Sequence, residues 1–182
     1  MTTQTVTTTK WNLDAAHSEI GFKVKHMMIT NVSGSFGKFD ASVETEGDDF
    51  STAQIDFTAD LNTISTGNTD RDNHLKSADF FDTAQFSELK FVSTKLEKKD
   101  ESNFVLSGDL TIRGVKRPVK LDVDFGGIGK DPWGNEKAGF TVTGKINRTD
   151  FSLNWNAALE TGGVLVSEEV RLYAEIQLVK QR

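Results

Sequence analysis

Between positions 18 and 26 the apolar side chains Ile20, Phe22 and Val24 occupy every second place, with Glu19, Lys23 and Lys25 between them. This period of two predicts a strand with one buried face, and it carries His26 in the inner phase. The alternation recurs in Ala53, Ile55, Phe57, Ala59 and Leu61; in Phe104, Leu106, Gly108, Leu110 and Ile112; and in Val119, Leu121, Val123 and Phe125. Phe140, Val142, Gly144 and Ile146, then Leu172, Ala174, Ile176 and Leu178, complete the series, while 32–46 and 86–96 are less regular strand candidates.

Turn-forming residues separate these runs at 46–49, at 98–103, at Arg113-Gly114 and over 126–135, which includes Asp131-Pro132-Trp133-Gly134. A string of about eight antiparallel strands exposes two edges unless the sheet closes, and closure into a barrel removes them. Gly21, Gly37, Gly108 and Gly144 supply the bends that closure requires. A two-sheet sandwich satisfies the same alternation and stays open as an alternative. The expected fold class is all-β: one antiparallel eight-stranded barrel with one or two short helices, spanning residues 11–182 behind a flexible tail at 1–10. The convincing helix begins at Asn68, a good N-cap, and runs through 69–77, with Asp72 and Lys76 spaced for an i, i+4 pair. Arg71, His74, Leu75 and Ala78 share another face, expected to meet the barrel. Phe80, Phe81 and Phe86 follow closely, too many rings for one exposed loop, and are expected to plug something apolar.

Side-chain size raises the possibility of a cavity. Eight strands enclose a space that is either filled by side chains or able to hold one small ligand. Ala53, Ala59, Gly108, Gly144 and Ala174 are small inward candidates, which favours an open lumen, although the same residues can also pack as a solid core. A hydrocarbon chain entering such a lumen gains about 0.8 kcal/mol per buried methylene.

The composition narrows the chemistry. A hydrophobic content of 36% supports a real core, and the absence of cysteine removes disulfides, thiol catalysis and cysteine metal sites. The net charge of −6 argues against nucleic acid and anionic membrane surfaces as general partners. The threonine-rich start lacks the pattern of a secretory signal, and no apolar run reaches the length of a spanning helix. A cytoplasmic location without stable membrane insertion is expected, or a periplasmic one if a signal was removed.

His17, His26 and His74 lack the spacing of a metal-binding pair, so no metal and no cofactor is expected. His26 is either a hydrogen-bonded strand end or a polar contact at a barrel mouth. Arg71 either meets a ligand head group or clamps the helix by pairing with Asp14 or Asp79. Arg148 and Asp150 lie in a turn-forming stretch, with Asp150 a candidate cap. Trp155 continues the phase of Phe151 and Leu153 and is expected in the core, whereas Trp133 either covers an entrance or packs on its own turn. No G-x-S-x-G elbow and no phosphate-binding glycine loop is present.

An ordered series of segments resembles the YceI-like family of lipocalin-like polyisoprenoid-binding proteins. It comprises Trp11-x-x-Asp14-x-x-His17-Ser18-x-Ile20-x-Phe22-x-Val24-x-His26, then Gly34-x-Phe36-x-x-Phe39, then Thr69-x-Arg71-Asp72-x-His74-Leu75-x-Ser77-x-Asp79-Phe80-Phe81-Asp82. Later come Gly108-x-Leu110-Thr111-x-Arg113-Gly114-Val115, Arg148-x-Asp150-Phe151-x-Leu153-x-Trp155 and Glu169-Val170-x-Leu172. Ser87, Lys116 and Ser152 depart from the family pattern at turn or surface positions.

The resemblance implies a lipocalin-like barrel whose tunnel takes a long isoprenoid, such as a quinone or polyprenyl lipid, for binding, transport or storage without catalysis. The candidate cavity residues are Phe22, Val24, His26, Phe36, Ile55, Phe57, Arg71, His74, Leu75, Phe80, Phe81, Leu106, Leu110, Phe140, Val142 and Trp155. An enzyme using polar groups at the cavity mouth, a ligand-free stress-response or interaction domain, and a homodimer remain alternatives.

Overall fold

The computed structural model describes residues 7–157, 159 and 164–181. Its strands are β1 (Thr8–Leu13), β2 (Glu19–His26), β3 (Thr30–Phe36), β4 (Phe39–Glu46), β5 (Asp49–Asp60) and β6 (Ile64–Ser65), followed by β7 (Glu88–Lys98), β8 (Asn103–Ile112), β9 (Val115–Lys130), β10 (Glu136–Asn147) and β11 (Val166–Lys180). One helix, α1 (Thr69–Lys76), and three single 3₁₀ turns, Ala15–His17, Leu61–Thr63 and Arg148–Phe151, complete the described elements.

All pairings are antiparallel, and the sheet closes where β1 pairs with both β4 and β11, placing Trp11 opposite Lys180 and Leu13 opposite Leu178. The barrel expectation holds and the sandwich alternative falls. The strands fill eight positions because β1 with β2, β3 with β4, and β5 with β6 are interrupted halves of single strands. Beyond the interruption the same neighbours resume, with β2 continuing along β11 (Phe22 opposite Leu172), β3 along β2, and β6 along β3.

The three interruptions lie side by side, and local polar groups close each gap. Ser18 Oγ donates to the Asp14 carbonyl at 2.8 Å and accepts from Gln177 N at 2.9 Å, standing in for lost ladder bonds. Thr63 Oγ1 accepts from Gly37 N and Lys38 N at 3.1 and 3.0 Å. The Asp14 carboxylate receives Lys137 Nζ at 2.9 Å and His17 Nδ1 at 2.8 Å, tying the first break to β10.

Two sequence expectations about boundaries give way. Thr8, Thr9 and Lys10 belong to β1, and Thr9 is buried, because the closing strand needs them opposite β4; residues 1–6 of the expected tail lie outside the described residues. The glycines at 126–129 are not loop: β9 runs to Lys130 with a bulge opposite Gly139-Phe140, where Gly127 takes φ +107°. Pairing with β10 outweighs the turn preference of those residues, and the loop shrinks to a turn at 131–135. The β8–β9 hairpin turns at Arg113-Gly114, as expected, with φ +51° and +72°, the pairing of signs of a type I′ turn. The β2–β3 hairpin makes a similar turn with two methionines, Met27 at φ +53° and Met28 at φ +63°. Left-handed backbone costs a non-glycine residue about 1–2 kcal/mol, so this turn is strained.

Apolar clusters sit at both ends of the barrel. At the β4–β5 end, the Phe50 ring lies 5.0 Å from Trp11, 5.2 Å from Phe125 and 4.9 Å from Phe140. At the other end Phe36, Ala59, Leu61 and Ile64 pack with Leu75 of α1 and with Phe81.

Burial pushes the Asp14 carboxyl up, but the bonds and charges of Lys137 and His17 outweigh it and hold the group below the ordinary value of 3.8. A carboxyl depressed in the folded state stabilises above its ordinary pKa and loses that contribution as pH falls through the folded value. Asp14→Asn is therefore expected to lower stability near neutral pH and to flatten its decline below about pH 4. Urea midpoints measured across that range check this.

Candidate functional site: an apolar barrel lumen

Between the two end clusters the barrel is hollow. The cavity holds about 1250 Å³ of non-atom space, its opening included, and its wall is built from β2, β3, β4, β5, β7, β8, β9, β10 and β11. At one end the wall starts with Phe50, Ala53 and Leu178; at the other it reaches Ile20, Phe36, Leu89, Ile112, Ile146 and Leu172. Its side chains are aliphatic or aromatic, with Tyr173 alone carrying a hydroxyl.

Ala53, Ala59 and Ala174 do line the space, as their size predicts. Gly108 and Gly144 act differently. A Cβ on Gly108 would meet the Phe91 ring, and one on Gly144 would meet Leu121. These glycines let bulky cross-strand neighbours lie flat against the wall instead of reaching the axis, which keeps the centre open. Gly34 does the same for the Phe22 ring.

Seven of the expected cavity residues are in the wall: Phe36, Ile55, Phe57, Leu106, Leu110, Phe140 and Val142. The others lie elsewhere, for reasons local to each. Phe22 lies over Gly34 with its ring 5.9 Å from Phe36. Val24 and His26 belong to the outer part of the β2–β3 hairpin, paired with Val32 and Thr30, beyond the cavity wall. Arg71 is exposed and donates from Nε and Nη2 to Oγ1 and O of Thr66, both at 2.7 Å, so neither Asp14 nor Asp79 is its partner. Asp72 accepts from Thr66 N and Oγ1 at 2.8 and 2.6 Å, and this takes the place of the expected pair with Lys76.

His74, Phe80 and Trp155 form a stacked group. The His74 ring lies 5.1 Å from Phe80 and 4.7 Å from Trp155, both edge to face, and its Nε2 donates to Asp79 Oδ2 at 2.9 Å. Leu75 packs on the Phe36 cluster, and Phe81 touches both that cluster and the one around Phe91. Together these residues make the plug that the clustered phenylalanines predict. Trp155 lies outside any strand, so its phase relation to Phe151 and Leu153 is coincidental. Trp133 is 79% exposed on the 131–135 turn and is absent from the cavity wall.

Arg148 is the residue whose role the sequence hid. It is 4% exposed, and its guanidinium donates to the carbonyls of Leu153, Trp155, Val166 and Ser167. Burial pushes its pKa down and Glu168 opposes the shift; an arginine stays charged through such a change. It staples the chain leaving the Arg148–Phe151 turn to the start of β11. A lone arginine among turn residues carries no signal of four carbonyl partners.

Among the described residues no group of three or more His, Asp or Glu side chains is placed to hold a metal, and no helix is long and apolar enough to cross a membrane.

Comparison with known proteins follows the geometry. The YceI-like domain matches residues 11–178. A UPF0312 protein of Staphylococcus aureus (strain MSSA476) is 42% identical over 93% of this chain and 96% of its own length. Among solved structures, the Campylobacter jejuni YceI protein is 31% identical with a TM-score of 0.74, covering 100% of both chains. Burkholderia cenocepacia BcnA is 22% identical with a TM-score of 0.79, covering 91% of this chain and 98% of its own, and shares the fold. A polyisoprenoid binding domain from Saccharophagus degradans, implicated in plant cell wall breakdown, shares the fold at 17% identity and a TM-score of 0.65, covering 94% of this chain and 98% of its own.

Arg148→Met leaves several buried carbonyls without a donor. It is expected to cost about 3 kcal/mol of stability, read from urea unfolding midpoints.

Proposed function

Because the chain belongs to the YceI-like family, we propose that it binds a long-chain isoprenoid, such as a quinone or polyprenyl lipid, in the barrel lumen, as a carrier or store and not as a catalyst. The observation that carries this reading is the cavity itself: a space of about 1250 Å³, its opening included, lined by apolar side chains within a closed sheet. Water gains few hydrogen bonds from such walls, whereas each methylene that enters contributes about 0.8 kcal/mol. The shared fold of the Saccharophagus degradans polyisoprenoid binding domain supports the same ligand class.

The enzyme alternative rests on His26, His74 and Arg71, none of which belongs to the cavity wall. His74 is held by Asp79, Phe80 and Trp155, and Arg71 by Thr66, so both serve the plug. The wall offers a ligand shape and dryness in place of reactive groups.

Native mass spectrometry of the purified protein with quinone and polyprenol analogues tests the reading, together with thermal shift. Bound ligand and a raised Tm are expected. Ala174→Phe, which places a ring into the lumen from β11, should keep the fold and lose the Tm rise, with affinity falling about tenfold or more. A chain that never takes up any such analogue and never gains stability from one would sink the reading.

A further inference from the structure

The apolar, strained tip of the β2–β3 hairpin stands outside everything the lumen requires. Met27, Met28 and Ile29 are 42%, 58% and 76% exposed, and Val164 beside them is 38% exposed. Met27 N donates to Leu165 O at 2.7 Å, which holds the tip against the approach to β11. Turns with both central residues at positive φ, as at Met27 and Met28 inside this three-residue connection, favour Asn-Gly. Here two methionines occupy the left-handed positions, so the fold retains a strained turn that displays large apolar side chains to solvent. Strain of this kind persists where the displayed residues serve a function.

Charge is segregated along the same hairpin. The chain carries a net −6, yet residues 20–39 contain no carboxylate and three lysines, Lys23, Lys25 and Lys38. Lys23 and Lys25 are exposed on β2, one of them 6.0 Å above the Tyr173 ring. Of the β11 carboxylates, Glu169 faces Lys145 at 3.4 Å, Glu168 offsets the charge of the buried Arg148, and Glu175 accepts from Thr141 at the far end of β2, opposite Glu19. An apolar tip backed by lysines matches the layers of an anionic bilayer, with hydrocarbon below and lipid phosphates above. Two such signals together give the reversible surface binding that neither gives alone.

We infer that the β2–β3 hairpin docks this protein onto the surface of an anionic lipid bilayer, with Met27, Met28 and Ile29 entering the interface and Lys23 and Lys25 facing the headgroups. The overall negative charge speaks against general adhesion and confines docking to this hairpin. The inference agrees with the lumen reading, since β2 also supplies Ile20 and Gly21 to the cavity wall, but it stands on separate observations.

Vesicle flotation tests it, using the full chain with phosphatidylcholine vesicles and with vesicles that also contain phosphatidylglycerol. The wild-type chain is expected to float with the anionic vesicles and less so as salt rises. The double variant Met27→Asn, Met28→Gly relieves the strain and removes two of the three apolar side chains of the tip, so it should melt at a higher temperature yet float about tenfold less. Ile29→Asp should also float less, and Lys23→Glu with Lys25→Glu should erase the preference for anionic vesicles. Trp133→Ser, at the other end of the barrel, and Ala174→Phe, with its lumen filled, should float like wild type, which separates docking from ligand binding. A wild-type chain that stays behind, or a double variant that floats unchanged, overturns the inference. So does light scattering in which the tip variants turn a dimer into a monomer while vesicle binding stays the same, since the tip then belongs to a second copy of the chain.

Discussion

A sheet can enclose a dry space only if its last strand finds its first, and here β11 carries that requirement. One of its edges pairs with β10 along most of its length, and the other is shared by β1 near Leu178 and β2 around Leu172. The ladder pairs the strands of the wall with one another round the ring, which lets the inner surface be apolar. The polar groups at the junction of β1 and β2 matter for the same reason. Asp14, Ser18 and Lys137 keep the seam bonded where the strand leaves its ladder.

Much of this was legible in the chain. Alternating apolar positions located the strands, Asn68 marked the helix start, and Arg113-Gly114 marked a hairpin, because each is a local rule acting over a few residues. The strand at 32–46 looked irregular because it breaks at Gly37-Lys38, where Thr63 from the Leu61–Thr63 turn accepts hydrogen bonds from both residues. The glycines after Phe125 misled because their turn preference yields to pairing with β10. The openness of the lumen was legible from alanines, whereas the way Gly108 and Gly144 receive Phe91 and Leu121 depends on register and could not be read along the chain.

The candidate site divided along the same line. Most residues chosen by strand phase, such as Ile55, Leu106 and Val142, lie in the wall, although Phe22 and Val24 do not. The polar candidates Arg71 and His74, and His26 despite its inner phase, lie outside it. Inside a closed apolar barrel an ionised group costs several kcal/mol unless paired, so such groups collect at the ends and serve to pin segments down. His74 with Asp79 and Arg148 with its carbonyls show this use of polarity. Selectivity in such a protein then comes from the length and girth of the space more than from recognition of a headgroup.

The three strand breaks, at 14–18, at Gly37-Lys38 and at Leu61–Thr63, fall on one line across three neighbouring positions of the wall. Along that line backbone bonds such as Asp14 N to Gln177 O and Gly37 N to Thr63 O are joined by side-chain bonds from Ser18 and Thr63, so the wall bends there where β2, β3 and β6 begin. Beyond the bend β3 has only Ser35 and Phe36 paired on its outer side, leaving that border nearly free. Local opening costs least where a strand has few ladder partners, and β7 to β10, paired on both edges, are the opposite case.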